Sequence, residues 1–123
     1  MAETLLMKID TLVVGGIALE IEDSSVVVDG ATRFENTTVL AASGADAQAR
    51  KRVPCMISAR IMFKASTDPR QIAELRDAQI TLRDSQSGKR ALATNCSFAS
   101  MGPVGSGNPV DVKWNVLTEL QWL

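Results

Sequence analysis

The sequence predicts a mainly β domain, an antiparallel β-sandwich or flattened barrel with one short α-helix on its flank. Three observations support this. Apolar residues recur at a period of two, most clearly over residues 53–65 and 110–122. One stretch alone, 68–77, carries helix start signals. The strand-like stretches are joined by turn residues, with no strand–helix alternation of the kind that builds parallel βαβ units.

Each element has its own signal. Residues 1–10 hold Leu5, Leu6, Met7 and Ile9 and read as an arm that docks. Gly15 and Gly16 permit a tight turn or a bulge. Ile17, Leu19 and Ile21 then alternate with Ala18, Glu20 and Glu22, a strand with an acidic outer face. Residues 26–40 read as strand, a turn or bulge at Asp29–Gly30, and strand again, with Arg33 and Glu35 on one face and Phe34 on the other. Residues 40–52 are small, polar and end in Arg50, Lys51 and Arg52. They read as a long loop, and long loops in compact domains are often functional. From Val53, one strand face carries Cys55, Ile57, Ala59, Ile61, Phe63 and Ala65, and the other Met56, Ser58, Arg60, Met62 and Lys64. Asp68 suits an N-cap, Pro69 the first helical position, and Gln71 a capping box, with Ile72 and Leu75 as the apolar stripe. Residues 78–101 predict a hairpin. Ala78, Ile80 and Leu82 share one face, the turn is "DSQSGKR", and Leu92, Thr94, Cys96 and Phe98 share a face of the return strand. A second flexible loop, "GPVGSGNP", leads into the last strand.

That strand places Val110, Val112, Trp114, Val116, Thr118, Leu120 and Trp122 on one face. A tryptophan buries ~150–250 Å², an upper value of roughly 4–6 kcal/mol. The strand is therefore expected to dock, in its own core or against another chain. Leu117 and Leu123 on the second face point to a covered sheet edge or a subunit contact.

Composition narrows the chemistry. The chain of 123 residues is expected to form a single domain, 1–123, with a sizeable core, and 46% apolar residues exclude a disordered chain. The net charge of −1, with no dominant basic block, lacks the footprint of a dedicated nucleic-acid binder. There is no histidine, so Ser–His–Asp and Cys–His catalysis are excluded and the commonest metal ligand is missing. Cys55 and Cys96 fit no metal spacing and read as structural thiols, with a disulfide as the alternative. No apolar run approaches the ~18 residues of a membrane-spanning helix, and "MAETLLMKID" lacks the pattern of a signal peptide. Synthesis in the cytoplasm, no enzymatic activity and no cofactor are the expectations.

The order "GGIALEIEDSSVVVDG", "ATRFENTTV", a long loop ending at "KRVP", "CMISARIMF" and "TDPRQIAELRDAQITLRDSQSGKRALATNCSF", closed by an amphipathic strand, resembles the Mu-like phage tail tube family over nearly the whole chain. Asp68, Ile72, Leu75, Ala78, Ile80 and Leu82, followed by Gly88 and Asn95, are its most telling part. The resemblance implies a structural protein. Such monomers join into hexameric rings whose inner sheets form one continuous β-barrel. The rings stack into a hollow tube through which double-stranded DNA passes without sequence readout. Implied partners are further copies of the chain, a sheath where the tail contracts, a tape measure protein, and baseplate or terminator proteins. The implied location is the virion tail.

On this reading Glu20, Glu22, Arg33, Glu35, Arg60 and Lys64 are candidate lumen-lining residues, although a solvated outer face fits the same pattern. Leu5, Leu6, Arg50, Lys51, Arg52, Leu117, Trp122 and Leu123 are candidate contacts between subunits or rings, and 40–52 is the inter-subunit loop. The alternatives are the inner tube of a bacteriocin or type VI-like secretion system, and a monomeric β-sandwich that binds a ligand.

Overall fold

A computed structural model describes residues 6–64 and 67–123. Strand makes up 49% and helix 4%, the mainly β architecture expected. The described strands are β1 (Thr11–Val14), β2 (Ile17–Leu19), β3 (Val27–Asp29), β4 (Phe34–Val39), β5 (Ala47–Arg52), β6 (Cys55–Ile61), β7 (Ala78–Arg83), β8 (Arg90–Met101), β9 (Val110–Val116) and β10 (Gln121–Trp122). One helix, α1 (Pro69–Ala73), lies between β6 and β7.

The main sheet runs β2–β1–β7–β8–β9–β6–β3, with β10 beside the start of β8. All pairings are antiparallel. Gly15 and Gly16, at φ +57° and +83°, make the two-residue turn between β1 and β2, which needs left-handed backbone at both positions. After β2 the chain crosses to the far side of the sheet. Ile21 bridges Ile61, the Glu22 amide donates to the Arg60 carbonyl at 2.8 Å, and the Met62 amide to the Glu20 carbonyl at 2.8 Å. This seam joins the two ends of the sheet, so the curled sheet closes into a flattened barrel.

Inside lies one apolar cluster, built from Leu12, Val14, Ile57, Ile80, Val112 and Trp114 among others. The expected inward faces of β6, β7 and β9 are buried: Cys55, Ile57, Ala59 and Ile61; Ala78, Ile80 and Leu82; Val110, Val112, Trp114 and Val116. β6 ends at Ile61, so Phe63 only packs at the margin of the core, and Ala65 lies outside the described residues.

Four local expectations need correction. In β8, Ala91 and Ala93 point inward first, while Leu92 and Thr94 do not. A register shift pairs Ala78 with Cys96 but Ile80 with Ala93, and the extra residue flips the parity so that Cys96 points inward. The helix spans 69–73 rather than 68–77. Asp68 caps it by accepting from the Arg70 amide at 3.0 Å, but the Leu75 carbonyl is taken by the Phe98 amide at 3.2 Å and Asp77 turns left-handed at φ +50°. The last strand breaks after Val116, where the Leu117 amide donates to the Asn95 carbonyl at 2.9 Å. Leu120 is buried, but Trp122 is 37% exposed rather than docked on the dry face. Finally, residues 47–52 are strand and not loop.

Candidate functional site

That fourth difference creates the most prominent surface feature. β4 and β5 pair with one another from Phe34↔Arg52 to Val39↔Ala47 and form a ribbon of their own, joined by the loop 40–46. Every residue of both strands is exposed. The ribbon continues the β3–β6 ladder but bends away from the barrel at its root. Gly30 sits there at φ +66°, and an added Cβ would lie 2.2 Å from the Pro54 carbonyl oxygen. Arg33 is left-handed at φ +63°, and its carbonyl accepts from the Val53 amide at 2.8 Å. A non-glycine residue in that region is uncommon and marks a constrained bend.

The ribbon's exposed apolar side chains lie on both faces, Phe34 on one and Val39 on the other. Phe34, Val39 and Leu40 are exposed large apolar residues. Arg50 lies over the Phe34 ring at 4.0 Å, a cation–π contact. Lys51 stands opposite Glu35, and Arg52 opposite Phe34. A groove of about 310 Å³ opens at the ribbon's root, lined by Arg33, Arg52, Val53, Pro54 and Leu117. Arg33 Nη1 donates to the Leu117 carbonyl across it at 3.0 Å. Of the candidate contact residues, Arg50, Lys51 and Arg52 lie on this ribbon, and Leu117 at its root. Leu6 is 94% exposed, and Leu117, Trp122 and Leu123 are exposed as well. Leu5 lies outside the described residues. The period-two reading did not single out Phe34, Val39 and Leu40 as exposed apolar residues. They signal only when the basic stretch is seen to be their paired strand.

The candidate lumen-lining residues divide. Four gather on the seam. Lys64 pairs with Glu20, and Arg60 pairs with Glu22 at 2.8 Å and with Asp111 at 3.5 Å. All are about half exposed, so each pair is worth roughly 0–1 kcal/mol and its main effect is to cancel charge locally. Arg33 and Glu35 lie elsewhere, at the root and on the ribbon.

The cysteines are free and buried. Both stand beside Val116, on strands flanking β9, so their Cα atoms are about two strand spacings (~10 Å) apart, too far for a disulfide. Burial raises the Cys55 thiol pKa and pushes that of Cys96 up to about 11, the opposite of an activated nucleophile. No cluster of three potential metal ligands occurs among the described residues. No helix among them is long and apolar enough to cross a membrane.

Asp84, the one buried charged residue among the described residues, was not singled out by the sequence pattern; the "DSQSG" turn signal could have found it. Hydrogen bonds from the Lys8 amide, then the Gln86 amide and Ser87, hold its carboxyl below the ordinary 3.8. Ser85 does the same for Asp10, chiefly through its hydroxyl at 2.8 Å. The stability these groups contribute is complete above about pH 4 and is lost as pH falls through their lowered values. In thermal melts from about pH 6 to pH 2, Asp84→Asn is expected to start below the parent chain, and the gap to close at the acid end. A gap that stays constant with pH would refute this origin.

No family model matches the chain, and no curated protein matches it by sequence. Solved structures that share its fold include the following two. One is described as the sheath/tube terminator of an extracellular contractile injection system, PVC, in the extended state. It has a TM-score of 0.63 at 12% identity, over 92% of this chain and 91% of that chain. The other is the sheath-tube complex of the same kind of system in the extended state. It has a TM-score of 0.63 at 11% identity, over 92% of this chain and 86% of that chain.

Proposed function

We propose that this chain is a structural subunit of the tube of a phage tail or related contractile injection apparatus. Copies associate into hexameric rings that stack into a hollow conduit. The observation that supports this most directly is the end-to-end fold likeness to chains of a sheath-tube assembly, with little of either chain left over. The exposed ribbon β4–β5 supports it physically. An unpartnered two-stranded extension with apolar side chains is a liability for a monomer and an asset for an assembly that covers it.

On this reading the ribbon, with Arg50, Lys51, Arg52 and Phe34, bridges neighbouring copies. Leu5, Leu6, Leu117, Trp122 and Leu123 lie at contacts. The seam face with Glu20, Glu22, Arg60 and Lys64 lines the lumen. A conduit for DNA works best when its cations are already neutralised, because each free cation that meets a phosphate adds affinity through counterion release. Arg60 and Lys64 both carry carboxylate partners. Arg33 and Glu35 would line the lumen only near the ribbon root. The partners would be a sheath where one exists, a tape measure protein and the proteins at the tube's ends, and the location is the assembled particle.

A second reading is favoured by the terminator, which matches with the same TM-score: a ring that caps the tube rather than a repeating one. Negative-stain electron microscopy at high concentration, beside light scattering, tests both. Long hollow tubes are expected for the repeating subunit, and single rings for a terminator. A monodisperse monomer at every concentration would overturn the proposal.

A further inference from the structure

The Asp84 carboxylate is divided between two tasks. Oδ1 accepts from the amides of Gln86 at 3.0 Å and Ser87 at 3.5 Å, and so shapes the β7–β8 turn. Oδ2 accepts from the Ser87 hydroxyl at 3.0 Å and from the Lys8 amide at 3.0 Å, which belongs to the N-terminal arm. The side chain is only 3% exposed, so these bonds are shielded from competing water. The rest of the arm is held lightly. The Asp10 amide donates to the Arg83 carbonyl at 3.0 Å, and Ser85 donates to Asp10. Lys8 Nζ meets Asp23 at 2.7 Å between two exposed side chains. Among the described arm residues Ile9 packs against the core, while Leu6 and Met7 face solvent.

We propose that residues 6–10 form a strap that opens and closes as its own unit on a folded barrel, with Asp84 Oδ2 as its catch. The bonding pattern makes the strap separable from the turn. Losing the Oδ2 acceptor removes the Lys8 bond and the Ser87 hydroxyl bond, yet Oδ1 still holds the amides of Gln86 and Ser87. Opening gives up the partly buried contact of Ile9 alone among residues 6–10, which puts the strap at the low-stability end of the molecule. The other charged groups nearby do not replace the catch. Asp10 is engaged by Ser85 and Asp23 by the Lys8 side chain, while Arg83 and Lys89, which flank the turn, offer only side-chain donors. Opening uncovers the Arg83 carbonyl at the end of β7, a free backbone edge.

Amide hydrogen exchange by NMR on the full chain at neutral pH tests this, in the parent, Asp84→Asn and Ser85→Ala. In Asp84→Asn the carbonyl oxygen can keep the turn, but an NH₂ group then faces the Lys8 amide. Exchange at Lys8 and Asp10 should be faster than at Ile80 and Val112 already in the parent, and in Asp84→Asn it should accelerate at least roughly tenfold. Tryptic cleavage after Lys8 should accelerate in the same order. Ser85→Ala leaves the catch in place and loosens the second tie, so a smaller acceleration confined to the arm is expected. The strap is refuted if neither variant accelerates the arm. It is equally refuted if Lys8 and Asp10 are protected in the parent to the same free energy as Ile80 and Val112, because the arm would then open only by global unfolding.

Discussion

Excising residues 35–51 and joining Phe34 to Arg52 through an Asn-Gly turn is expected to leave a folded barrel that forms neither rings nor tubes. Phe34 and Arg52 are directly paired, so a two-residue turn spans the gap without disturbing the register below. The excised segment contributes no core residue, since every position in β4 and β5 is exposed. A single surface substitution shifts stability by about 0.5 kcal/mol or less, and removing a ribbon without core contacts is expected to shift melting by less than about 10 °C. Assembly should be lost outright, because Val39, Leu40, Arg50 and Lys51 go together and only Phe34 and Arg52 remain at the root. Both strands must be removed as a pair. Cutting only 42–50 takes away most of β5 and strands β4, which confounds misfolding with lost contacts. Melting curves and negative-stain images of the same preparation check the result. Normal tubes would sink the assembly role of the ribbon, and a fall of more than about 10 °C would show that it is part of the fold.

The ribbon also shows where the sequence is legible and where it is not. One-sided strands announce themselves: β6, β7 and β9 alternate because one face is dry, and their inward residues follow from period alone. β5 is exposed on both faces, so "AQARKR" carries no alternation and reads as loop. Its strand character comes from pairing with β4, a non-local fact. The β8 parity error has a related cause. A bulge adds one residue to one strand, and nothing in the one-dimensional pattern marks which residue is extra. The helix start at Asp68 and Pro69 is a local capping signal and was readable. Its early end is set by a tertiary bond from Phe98 and was not. Among the site residues, alternation placed Glu20 and Glu22 on one outer face and Arg60 and Lys64 on another. Only the seam, where residues 20–22 bridge β6, brings the two sets together.

Trp114→Ala is expected to cost about 3–5 kcal/mol, the largest loss from a single side chain in this barrel. Trp114 is 1% exposed in the middle of β9, between Ile57 on β6 and Phe98 on β8, so its removal opens a cavity facing three strands. Against a total stability of about 5–15 kcal/mol, such a loss leaves the chain barely folded or unfolded. Trp114→Phe separates volume from polarity. Trp114 Nε1 has no hydrogen-bond partner among the described residues, so phenylalanine gives up packing area but also removes a buried donor that nothing satisfies. Its cost should be nearer 1 kcal/mol. Trp122→Ala is the control from the same chemical change at the other end of the strand pattern. That residue is 37% exposed on a two-residue strand, and its loss should stay below about 1 kcal/mol in the monomer. Urea melts of the three variants, compared at constant slope, read out this ranking. Equal losses at 114 and 122 would mean that the last strand docks along its whole length, as period-two alternation alone implies, and that the break after Val116 does not exist in solution.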